Sequence, residues 1–174
     1  DAKGQIAVLF YLALSIKENK MKINNELIFH LVFEEEIGGN GTLEFIRNGI
    51  KGDVAIVLEP TALKLVTAVR GAVWFLIEVF GKAGHSGQSK SETNALKGAI
   101  KIITLLQEYH NKLLNDSRGN PLFDKYDNPM PVNFGELVSG DWPSIAPSKA
   151  VLKGVFGFLP NKTRFDVQKE IKNF

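Results

Sequence analysis

Residues 72–87 read AVWFLIEVFGKAGHSG: nine residues rich in aromatic and β-branched side chains, interrupted by one acid, then a glycine-punctuated turn holding a histidine. Such a run has the length and composition of a β-strand, and the glycines mark where it stops. Downstream, residues 93–114 repeat apolar residues at helical spacing, with Ala95, Ile100, Ile103, Leu106 and Leu113 as expected inward positions. A long loop is expected over 115–133, where proline and glycine recur without a period. Two strands follow over 134–139 and 150–159, and a helix over 163–174. Strand, helix, strand, strand, helix is a ferredoxin-like α+β unit short of its final strand.

Upstream the rhythm differs. Residues 4–20 carry Ile6, Leu9, Phe10, Ala13, Leu14 and Ile16 at helical spacing. LIFHLVF (27–33) and DVAIVL (53–58) read as short apolar strands, with a helix over 43–48 between them. Helix and strand in alternation predict an α/β sheet with parallel strands. Both strands end in acids, Glu34-Glu35-Glu36 and Glu59, at the strand edge where open α/β sheets bind ligands. The domain boundary is expected near 62–70, giving a partial α/β domain over 1–65 and the α+β unit over 66–174.

Composition narrows the chemistry. The chain has 174 residues, 44% hydrophobic and 23% charged, which is ordinary for a globular protein. A net charge of +2 does not argue for nucleic acid or an acidic membrane as partner. The apolar stretches 6–16 and 72–80 are too short to span a bilayer. Without cysteine there is neither a disulfide nor a thiolate site, which suits a reducing, cytoplasmic compartment and leaves His, Asp and Glu as metal ligands.

Three adjacent carboxylates at a sheet edge repel one another, so the site is stable when a cation neutralises them or one keeps its proton. A metal would serve, and a carboxylate left off it could act as general base. An acidic triplet can equally be a solvated strand end. Glu59 can be a second ligand or a loop acid before Pro60, and Asp1 a helix N-cap or a terminus. His30, inside an apolar run, and His110, late in a helix, are read as structural.

Five motifs then stand in one order: DAKG (1–4), EEEIGGNGT (34–42), EPT (59–61), GKAGHSG (81–87) and GDWPSIAP (140–147). The series resembles the dinuclear-zinc amidohydrolase and metallopeptidase family of acetylornithine deacetylase, succinyl-diaminopimelate desuccinylase, aminoacylase and glutamate carboxypeptidase. The resemblance implies a zinc-exopeptidase-type catalytic domain followed by a dimerisation, or lid, domain. It implies two divalent ions, Zn or Co, with Asp1 bridging them, Glu36 and Glu59 as ligands and Glu35 as general base. One residue earlier, Glu34 and Glu35 could fill the paired roles. His85 would reach into the partner's active site to stabilise an oxyanion, and Ser144 would face substrate.

The chain departs from the family pattern in that Ser144 stands where many relatives carry Asn and Gly157 where many carry Arg. The family's His-x-Asp motif and its late His have no counterpart, so the resemblance implies a fragment lacking both ends and inactive alone. The full-length protein would hydrolyse an amide in N-acyl amino acids or similar small amides, as a homodimer. A dipeptidase or carboxypeptidase of the same family, and a non-catalytic dimerisation module, are the alternatives.

Overall fold

The computed structural model describes residues 2–88 and 93–174, except the side chain of Ala2, and divides into two compact units, 1–66 and 67–174. In the first, α1 (Ala2–Glu18) and α2 (Asn40–Arg47) are helical. Gly41 is the one buried residue among those described in this unit; it sits so close to Phe33 that an added Cβ would lie 2.6 Å from the Phe33 carbonyl oxygen. The imidazole of His30 stacks on Phe45, ring centres 4.4 Å apart, giving this histidine a packing role.

The strands expected over 27–33 and 53–58 are not formed among the described residues. A strand exists through its ladder, and neither segment has a hydrogen-bonded neighbour. Their apolar side chains accordingly remain in solvent, Phe33 at 73% and Ile56 at 83% exposure.

The second unit holds the core. β1 (Gly71–Phe80), β3 (Val132–Ser139) and β5 (Lys149–Phe158) form an antiparallel sheet in the order β1-β5-β3. β2 (Gly84–His85) and β4 (Ile145–Ala146) make a separate two-stranded ladder. β1 and β3 flank β5 and run parallel to each other, joined by α3 (Ala95–Ser117), which is the split β-α-β arrangement of a ferredoxin-like unit. The strand alternation in β1 turns Val73, Phe75 and Ile77 toward the helices and Trp74, Leu76 and Phe80 outward. A bulge at Gly135 shifts the β3 register between Phe134 and Glu136.

Asn94 caps α3, its side chain accepting the Lys97 N–H at 3.1 Å. The inward stripe of α3 is Ala95, Ala99, Leu106, Tyr109 and Leu113. Ile100, expected inward, is half exposed, because one residue past Ala99 turns it off that stripe. The expected loop over 115–133 is shorter, since α3 continues to Ser117 and β3 opens at Val132. It also feeds the core, where Phe123 and Met130 are buried. α4 (Arg164–Asn173) starts with a capping box between Thr163 and Asp166.

A polar cluster ties α3 to α4. The Tyr109 hydroxyl donates to Glu170 at 2.9 Å, and Lys162 donates to both Glu170 oxygens at 2.9 and 3.0 Å. Burial pushes the Glu170 carboxyl up, but the bonds from Lys162 and Tyr109 outweigh it and hold the carboxyl below its ordinary value. The folded state therefore favours ionised Glu170. Its contribution is full above the ordinary carboxylate range and is lost as pH falls through the depressed folded value. Glu170→Gln is expected to cost about 1 kcal/mol at neutral pH, allowing for partial solvent screening. The gap between wild-type and variant melting temperatures should narrow as pH falls below the ordinary carboxylate range and close below the depressed folded value. A gap that stays constant from pH 7 to 3 would show that the charge on Glu170 adds nothing.

Candidate functional site

The histidine turn and the later loop, far apart in sequence, lie side by side. Gly84 pairs with Ala146 and His85 with Ile145. The Ser86 N–H donates to the Ser144 carbonyl at 2.8 Å, so Ser144, expected to face substrate, stands on backbone adjoining the His85 turn. The same loops are stitched at their bases, where Gly81 N–H donates to Ser148 at 2.7 Å and Ala95 N–H to Pro147 at 3.0 Å. Lys82 N–H donates to Thr93 at 2.7 Å. Gly81 is required by this packing, because a Cβ there would overlap the Thr93 carbonyl oxygen and lie 2.8 Å from the Ala95 nitrogen. Gly140 opens the second loop with φ of 74°, a left-handed value that favours glycine.

The His85 side chain is exposed, and its Nδ1 accepts the Gly87 N–H at 3.3 Å. That contact needs the Nδ1 lone pair, so the neutral ring carries its proton on Nε2. Nε2–H is then the ring's donor. Held by a short ladder, such a donor suits an oxygen that gains negative charge in a reaction.

The carboxylates lie in the first unit. Glu34, Glu35 and Glu36 are exposed in a turn closed by N–H donation from Gly38 to Glu35 at 3.3 Å and from Gly39 to Glu34 at 3.0 Å. Asn40 donates to the Glu34 carboxylate at 2.8 Å, which engages that acid with its own helix start. Glu59 is exposed, and its carbonyl accepts the Thr61 N–H at 2.8 Å. Asp1 lies outside the described residues. Among the described residues no group of three His, Asp or Glu side chains stands close enough to hold a metal ion.

Gly157, where many relatives of the resembled family carry Arg, is buried; a Cβ there would lie 3.1 Å from Cδ and Nε of Arg70. Ile145 and Trp142 escaped sequence reasoning as site residues. Their signal is exposure, 48% and 66%, beside His85 and Ser144 in one tied loop. No helix among the described residues is long and apolar enough to cross a membrane.

Residues 67–174 match the family model described as the peptidase dimerisation domain. A probable carboxypeptidase of Aspergillus clavatus is 29% identical over 181 aligned positions, covering 100% of this chain and 42% of that protein. The acetylornithine deacetylase of Buchnera aphidicola is 33% identical over 113 positions, covering 63% of this chain and 29% of the relative. Among solved structures, an amidase of the hydantoinase/carbamoylase family from Burkholderia phymatum aligns with a TM-score of 0.43 at 17% identity, over 60% of this chain and 23% of that one. The chain spans about two fifths of the length of the Aspergillus relative and less of the Buchnera one.

Proposed function

Because the chain belongs to the peptidase dimerisation domain family of the M20 metallopeptidases and amidohydrolases, we propose that the full-length protein hydrolyses the amide bond of N-acyl amino acids or similar small amides. The observation that carries this reading is the ladder joining His85 to the Ser144 loop, with the Gly87 N–H on Nδ1 and the ring proton on Nε2. In this reading residues 67–174 also pair two copies, and each His85 serves the active site of the other subunit. Ser144 lines the substrate side of the same loop.

The carboxylate roles rest on the family resemblance. Asp1, Glu36 and Glu59 are the proposed ligands, completed by groups elsewhere in the longer protein. When bound there, two divalent ions, Zn or Co, would supply carbonyl polarisation and an activated water. Glu35 moves a proton from water to the leaving amine. The 174-residue chain alone is proposed to be inactive. The absence of cysteine suits a cytoplasmic setting.

A second reading, peptide cleavage by a carboxypeptidase or dipeptidase of the same family, is favoured by the Aspergillus relative, which aligns along the whole chain and is named a probable carboxypeptidase. The test is amine release by the full-length, metal-loaded protein from N-acetylornithine, other N-acetyl amino acids and dipeptides. Release that a chelator abolishes and added Zn or Co restores is expected, and the best substrate separates deacylase from peptidase. A folded, metal-loaded dimer that releases no amine would turn the assignment toward a non-catalytic dimerisation module.

A further inference from the structure

We infer that Ile145 and Trp142 form an apolar wall beside His85 that selects substrates with a branched or aromatic amino-acid side chain next to the scissile amide. This rests on the reading of His85 given above. Directly opposed residues of an antiparallel ladder project to the same face, with Cβ atoms about 4.5–5.5 Å apart. The register pairs His85 with Ile145, so the aliphatic side chain flanks the imidazole. The alternate pair, Gly84 with Ala146, faces inward, and Ala146 is buried. Ile145 is therefore the residue of its strand that is left toward solvent on the histidine's side.

Trp142 begins the same turn, its carbonyl accepting the Ile145 N–H at 3.1 Å. An indole at 66% exposure and an aliphatic side chain at 48% forfeit burial in the free protein. A ligand group covering them recovers that burial. The wall is also pre-set, because Ser144, Pro147 and Ser148 each accept a backbone N–H from the histidine turn or the start of α3. Within the two motifs, 81–87 and 140–147, the acidic and basic side chains besides His85 are Asp141 and Lys82. Asp141 next to Trp142 offers the rival chemistry, a carboxylate for a cationic side chain.

The experiment uses the full-length, metal-loaded protein and measures kcat and KM for the N-acetyl derivatives of glycine, leucine, phenylalanine, ornithine and glutamate. The wild type is expected to prefer leucine and phenylalanine over ornithine and glutamate by roughly tenfold or more. Trp142→Ala and Ile145→Thr should each shrink the leucine-to-glycine ratio of kcat/KM by about tenfold, mainly through KM, and Trp142→Phe should restore most of it. Preference for ornithine, lost in Asp141→Asn, would overturn the inference. So would an equal loss on all five substrates, which marks a merely structural role. Activity indifferent to His85→Ala would instead sink the underlying reading of the site, and the inference with it.

Discussion

His85→Ala in the full-length protein is expected to lower kcat by about 10²–10³-fold with little change in KM, the loss seen when one oxyanion donor is removed. The reason lies in the ladder and the turn. Gly87 N–H occupies Nδ1, and Ile145 stands across the strand, so the donor the ring offers is Nε2–H. Alanine deletes that donor and leaves the backbone pairing of residues 84–86 intact. Glu35→Gln, which keeps the shape but cannot take a proton, should cost about 10²–10⁴-fold.

Mixing the two inactive variants separates cis from trans action. If His85 serves the partner, each mixed dimer regains one intact site, so random reassortment should restore about one quarter of wild-type activity. If His85 acts within its own subunit, the mixture stays inactive, because one subunit lacks the base and the other the donor. Substituting His110 is a control, since its ring contacts Asn128 at 3.3 Å in a helix position outside this loop.

The second unit was legible because its elements declare themselves locally. The β1 run and the apolar spacing of α3 are each written in neighbouring residues. In the first unit the helices over 4–20 and 43–48 were legible as α1 and α2, but the strands were not, because the apolar runs at 27–33 and 53–58 have strand composition while pairing is a non-local property. In the core, the stripe of α3 was placed by large aliphatics, which drew Ile100 in and left Ala99 and Tyr109 out. Tyr109 can be fully buried because Glu170, sixty-one residues away, accepts its hydroxyl. The site had a similar gap. Both loop motifs could be read in the sequence, yet their meeting depends on a ladder two residues long, too short to leave a periodic trace.

Phe156→Ala is expected to be the most damaging single truncation in the second unit, costing about 3–5 kcal/mol. Phe156 is fully buried in the central strand, opposite Val73 on one side and Val132 on the other. Its ring lies 4.8 Å from that of Phe75 and meets Tyr109 edge-on at 5.9 Å. Removing it opens a void under both helices that the sheet cannot close, since β5 is held on both edges. For a unit of this size each kcal/mol is worth about 4–8 °C, so the melting temperature should fall by roughly 15 °C or more. Trp74 and Trp142 are the two tryptophans of the chain and both lie in the second unit, so their fluorescence follows its unfolding alone. Phe165→Ala is the matched control, because Phe165 is 64% exposed and its loss should cost about 0.5 kcal/mol or less. The truncation should also reach the site, because β5 begins beside Ser148, whose carbonyl anchors Gly81 at the root of the histidine turn. A Phe156→Ala chain that melts within about 5 °C of wild type would mean that this ring does not hold the sheet to its helices.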